Sequence, residues 1–64
     1  MNSDQLKGQW KEMKGKVKSQ WGKLTDDDIT RIDGDKEQLI GKIQQEYGKT
    51  REEAEQEVDK YLRA

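Results

Sequence analysis

Sixty-four residues with 28% apolar and 42% charged side chains describe one small domain, residues 1–64, built round a thin core. The mean hydropathy of −1.42 places it near the border with disorder. With no Cys and no His, disulfides, thiolate nucleophiles, sulfur metal sites and the usual general base are all excluded, so no catalytic, metal or cofactor-binding residue is expected. No apolar run approaches a membrane span, and Met1-Asn2-Ser3-Asp4 lacks the basic and apolar stretches of a secretory signal. A cytoplasmic protein is the expectation.

The net charge of −1 conceals an asymmetry. Up to Leu24 the chain carries +4, from six Lys against Asp4 and Glu12, and the remainder carries −5. The halves are therefore expected to attract each other, while the same basic segment suits an outside polyanion.

Pro is absent, so Gly and capping residues punctuate the chain. After Asn2-Ser3, with Gln5 three residues past Asn2, apolar residues recur at Leu6, Trp10, Met13, Val17, Trp21 and Leu24. At 100° per residue these positions share a stripe about 80° wide, which predicts one long first helix. Gly22 suits a left-handed residue at its end. Thr25 then caps a short second helix whose first turn is Asp26-Asp27-Asp28, with Leu24 stapled on Ile29, Ile32 facing inward, and Gly34 as the stop. Asp35, with Gln38 three residues on, opens a third helix bearing Leu39, Ile40, Ile43 and Tyr47, ended by Gly48. Thr50-Arg51-Glu52-Glu53 is a capping box for a fourth, with Ala54, Val58, Tyr61 and Leu62 on one face.

A shift of 26 residues aligns Gly15-Lys16-Val17 with Gly41-Lys42-Ile43, and Trp21-Gly22-Lys23 with Tyr47-Gly48-Lys49. The Thr caps then agree with one residue deleted. The expected fold is all-α: a compact four-helix domain of two packed αα hairpins with an internal repeat of about 26 residues.

Gly8-Gln9-Trp10-Lys11, Lys14-Gly15-Lys16-Val17-Lys18, Trp21-Gly22-Lys23-Leu24-Thr25-Asp26-Asp27-Asp28, Leu39-Ile40-Gly41-Lys42-Ile43, Tyr47-Gly48 and Glu53-Ala54-Glu55-Gln56-Glu57-Val58 stand in an order and spacing that closely resemble the CsbD-like family, from about residue 2 to 62. Lys49 departs from the bulky residue expected after Tyr-Gly. The resemblance implies a small bacterial protein made under general, osmotic or stationary-phase stress, with a fold of two helical hairpins. It implies no established biochemical activity and no accepted catalytic residues.

The residues themselves agree. The Asp26–Asp28 run fits capping and the helix dipole better than an acid site, and Asp33-Gly34-Asp35 lacks the spaced ligands of a calcium loop, so a turn plus an N-cap explains it. Ser3 and Ser19 lack a His to activate them. Trp10 and Trp21 lie in the apolar stripe and are read as core, shielded with Val17 by Ile40, Ile43, Tyr47 and Val58, rather than as base-stacking or membrane-seating rings. Lys7, Lys11, Lys14 and Lys18 form a modest basic ridge beside the stripe, from which Lys16 and Lys23 point away.

That ridge is the candidate anion-binding surface. A solvated flank drawn to the acidic half is preferred to nucleic acid as its role. Gly8 and Gly15 fall on the polar side of the first helix, where each costs about 1 kcal/mol relative to Ala. Either a partner's backbone approaches there or the helix is only conditionally stable, as the resemblance to hydrophilin-type stress protectants would also imply. The reading is a non-enzymatic stress-response protein, monomeric or weakly oligomeric, that binds or protects an unspecified macromolecule. The alternative is a nucleic-acid or anionic-surface binder using the Lys ridge.

Overall fold

In a computed structural model, which describes residues 3–63, the chain forms five helices and no strand among those residues: α1 Ser3–Gly8, α2 Trp10–Gln20, α3 Asp26–Ile32, α4 Lys36–Tyr47 and α5 Arg51–Arg63. The expected Asn2 cap lies outside the described residues. The long first helix is divided, so the count is five rather than four. Gln9 leaves the helix at φ −105° and ψ 9° with no side-chain cap, and its carbonyl accepts from Glu12 and Met13 to restart the chain as α2. Gly8, the weakest helix former in the stretch, is the last residue of α1. Its place on the polar side is thus partly explained by the break.

The break lets α1 settle against α4, burying Leu6 completely. The turn between α3 and α4 receives it. Asp33 and Gly34 both adopt left-handed backbone, at φ 47° and 79°, and an added Cβ on Gly34 would stand 2.7 Å from Lys7 Cα. Only a hydrogen fits there.

The caps follow the sequence closely. Thr25 and Asp28 exchange the two bonds of a capping box at 2.9 and 3.1 Å, and Thr50 and Glu53 do the same at 3.0 and 3.1 Å. Asp35 accepts from the N–H groups of Glu37 and Gln38. Gly48 ends α4 at φ 64°. Gly22 does not act this way: Trp21, at φ −119° and ψ 78°, turns the chain out of α2, and the Leu24 N–H returns to the Trp21 carbonyl at 3.0 Å. With the Trp21 ring drawn inward and that turn closed by Leu24, no left-handed residue is required.

All six glycines lie at intervals of seven within each half, Gly8, Gly15 and Gly22 against Gly34, Gly41 and Gly48, and the two sets differ by 26 residues. Equivalent members nevertheless do different work. Gly34 is packed under α1 whereas Gly8 closes α1 in open space, and Gly48 is left-handed whereas Gly22 is not.

One core joins all five helices: Leu6, Trp10, Val17, Trp21, Leu24, Ile29, Ile32, Leu39, Ile40, Ile43, Ala54, Val58 and Leu62 are buried, with Met13, Tyr47 and Tyr61 packed partly against them. Trp10, Val17 and Trp21 are thus buried in the same core as Ile40, Ile43 and Val58, with Tyr47 packed partly against it. The most extensive helix pairing is α4 with α5. A radius of gyration of 10.4 Å is that of a compact chain of this length. No described helix is long and apolar enough to cross a membrane.

Candidate functional site

Trp21 is the side chain round which the two halves meet. Its ring is 1% exposed and stands edge-on to Tyr61 at 5.1 Å, while its indole N–H donates to Glu57 Oε1 at 2.9 Å. The other Glu57 oxygen takes the Lys49 ammonium. Lys49, the departure from the expected bulky residue, thus neutralises the carboxylate that satisfies a buried Trp. Nothing in the sequence pattern singled out Glu57, because it flanks the apolar stripe of α5 and its partner Trp21 is 36 residues away.

Most described ion pairs lie within the second half. Lys42 reaches Asp28 at 3.1 Å, Arg51 reaches Glu37 at 2.6 Å, and Lys36 pairs with Asp59. The expected attraction between halves comes down, among described ion pairs, to Lys18 with Asp26. Tyr47 adds a polar link by accepting from the Lys23 N–H at 3.2 Å and lying under its ammonium at 5.0 Å.

The four candidate lysines consequently divide. Lys18 is engaged by Asp26. Lys7, Lys11 and Lys14 are exposed, and no described carboxylate lies within ion-pair distance of them. They line a hollow of about 360 Å³ with Gly8, Trp10, Thr30 and Asp33. Lys14 and Thr30 also line a second hollow of about 280 Å³ with Gly15, Lys18, Asp26 and Ile29. The ridge read from spacing is one wall of a groove whose other wall is α3. Asp33 and Asp35 are a turn residue and an N-cap, as expected. The described residues contain no group of three or more His, Cys, Asp or Glu placed to hold a metal.

The titration behaviour follows from the caps and pairs. The Thr25 backbone N–H, then Lys42, hold the Asp28 carboxyl below its ordinary range. The Thr50 backbone N–H does the same to Glu53, and Lys49, helped by the Trp21 N–H, lowers Glu57. Conversely, Asp28 raises Lys42, Glu57 raises Lys49, and burial raises Tyr61. A lowered carboxyl stabilises the fold above its unfolded value, about 3.9 for Asp and 4.3 for Glu, and that stabilisation is lost as pH falls through the folded value. The raised Lys and Tyr groups contribute fully below about pH 10 and lose that contribution as pH rises through their folded values. The expected result is a melting midpoint nearly flat from about pH 5 to 8 and falling on the acid side, then again at strongly alkaline pH. A marked shift of the midpoint between pH 6 and 8, measured by circular dichroism, would contradict the assignment.

Fold and surface together define a compact all-helical protein with one buried core, a charged exterior and a cationic groove along its N-terminal helices. The profile of the CsbD-like family matches residues 4–56. Among curated proteins, the UPF0337 protein YjbJ of Escherichia coli (strain CFT073) is 59% identical over 61 residues, covering 95% of this chain and 88% of the relative. A UPF0337 protein of Pectobacterium atrosepticum is 60% identical over 58 residues, covering 91% and 84%, and one of Pseudomonas aeruginosa is 57% identical over 58 residues, covering 91% and 89%. No solved structure matches. The chain belongs to the CsbD-like family, a membership that implies a general stress-response protein.

Proposed function

We propose that this protein is a non-enzymatic, cytoplasmic stress-response protein, working as one domain over residues 1–64, that acts by binding or protecting other macromolecules. Family membership carries the reading. It is supported by a division of labour in the chain: the large apolar side chains are committed to one core, and the exterior is left to charge and glycine. The two halves are read as one hairpin design used twice, supported by the matched capping boxes and the two glycine series.

The test is protection of a labile reporter enzyme during heating and during drying. The protein at molar excess is expected to preserve more reporter activity than an equal mass of an unrelated compact protein of similar charge. Equal preservation by the two would remove the protective reading.

A further inference from the structure

We infer that the groove lined by Lys7, Lys11 and Lys14 is a docking surface for the phosphate backbone of a nucleic-acid strand. This deepens the proposed function by naming a partner class, and it rests on the reading that the protein works by binding. Two independent observations meet in this groove. The first is charge: Arg31, Lys36, Lys42, Lys49 and Arg51 of the second half are paired with carboxylates, whereas these three exposed lysines, like Lys16 and Lys60, have no described carboxylate partner and, alone among such cations, line one described hollow together. The competing use for the ridge, attraction to the acidic half, is met among described ion pairs by Lys18 with Asp26.

The second observation concerns the glycines. Gly8 and Gly15 each line one of the two adjoining hollows, and a Cβ added at either would meet nothing within 4 Å. Packing inside the molecule therefore does not require their lack of a side chain. A bare backbone beside lysines leaves room for a sugar-phosphate chain to lie close to the helix.

Dimensions and chemistry narrow the partner. Lys11 and Lys14 stand about 4.5 Å apart along the axis of α2, near the spacing of about 3.4 Å between successive phosphates on one duplex strand, and Lys7 reaches the same hollow from α1 across the break at Gln9. Trp10 is only 7% exposed, too little for a base to stack on, so binding is to the backbone and indifferent to sequence. Asp33, on the α3 wall, opposes a phosphate track and sets an upper limit on affinity. Asp26 at the second hollow is already neutralised by Lys18.

Fluorescence anisotropy of labelled single strands of differing base composition, and of a duplex, tests this with the full chain. Binding is expected in the weak range of about 10⁻⁴ to 10⁻⁶ M at physiological salt, with a log–log salt slope of about −2 for single strands and nearer −3 for duplex, set by three contacts. Lys11→Glu should weaken binding tenfold or more at about 50 mM salt and reduce the slope by roughly one. Lys16→Glu makes the same change in net charge away from the groove and should alter affinity less than about twofold. Asp33→Asn, which suits the left-handed φ of 47° at that position, should tighten binding.

Equal losses from Lys11→Glu and Lys16→Glu would reduce the effect to net charge and overturn the proposal. So would a strong base preference, a flat salt response, or binding to anionic phosphatidylglycerol vesicles without binding to nucleic acid. Reporter protection that persists while nucleic-acid binding is absent would overturn this inference and leave the protective reading standing. Loss of both would remove the two together.

Discussion

Trp21→Ala is expected to remove most of the stability of the fold. The ring is 1% exposed, and truncating a buried Trp costs about 3–5 kcal/mol. A chain of this length has roughly 3–10 kcal/mol in total. The loss has two parts that can be separated. One is apolar: the ring fills the space between α2 and α5, edge-on to Tyr61 at 5.1 Å. The other is polar, because the indole N–H shares Glu57 with Lys49. Trp21→Phe keeps much of the first and discards the second, and is expected to lie between wild type and Trp21→Ala in a thermal melt. Since about 1 kcal/mol moves the midpoint of a domain this small by roughly 4–8 °C, Trp21→Ala should lower it by tens of degrees or abolish the transition. An unchanged melt by circular dichroism would take Trp21 out of the core.

What the sequence could and could not disclose is clearest at these same residues. The helix starts were legible because capping is local: Thr25, Asp35 and Thr50 bond to N–H groups two or three residues away, and their identities are sufficient to mark them. The stripe from Leu6 to Leu24 was legible for the same reason, and five of its six members are buried while Met13 is partly so. The break at Gln9 was not, because the apolar spacing passes across it unaltered. A single residue out of helical conformation changes the direction of α1 without changing which of its residues are apolar.

The candidate surface shows the same boundary between local and distant information. Helical spacing alone places Lys7, Lys11, Lys14 and Lys18 on one ridge. Which of them is neutralised depends on a contact from Lys18 to Asp26, made across the turn that follows α2. Half-by-half charge counting overstates the attraction between the halves, since most acidic side chains of the second half that form described pairs find cations within it. The groove itself exists because α3 folds back beside α2, which no residue of either helix announces alone.

Gly34→Ala is expected to undock α1 while leaving the α4–α5 pair folded. Two costs coincide at this position. An L-residue at φ 79° pays roughly 1–2 kcal/mol for left-handed backbone. The new methyl would also stand 2.7 Å from Lys7 Cα and 3.1 Å from Trp10 Cβ. Because the nearer atom is backbone, no side-chain rotation relieves the contact, and α1 as a whole must move. Lifting α1 exposes Leu6, now fully buried, at a further cost of about 1.5–3 kcal/mol. Gly48→Ala supplies the control, since Gly48 is also left-handed at φ 64° but an added Cβ there meets nothing within 4 Å. It should therefore show the conformational cost alone. Hydrogen exchange resolves the difference by location: in Gly34→Ala the amides of α1 should lose protection well before those of α4 and α5, whereas in Gly48→Ala α1 should stay as protected as in the wild type. Equal melts for the two variants, with α1 protected in both, would show that α1 is not held by its close approach to the Gly34 turn.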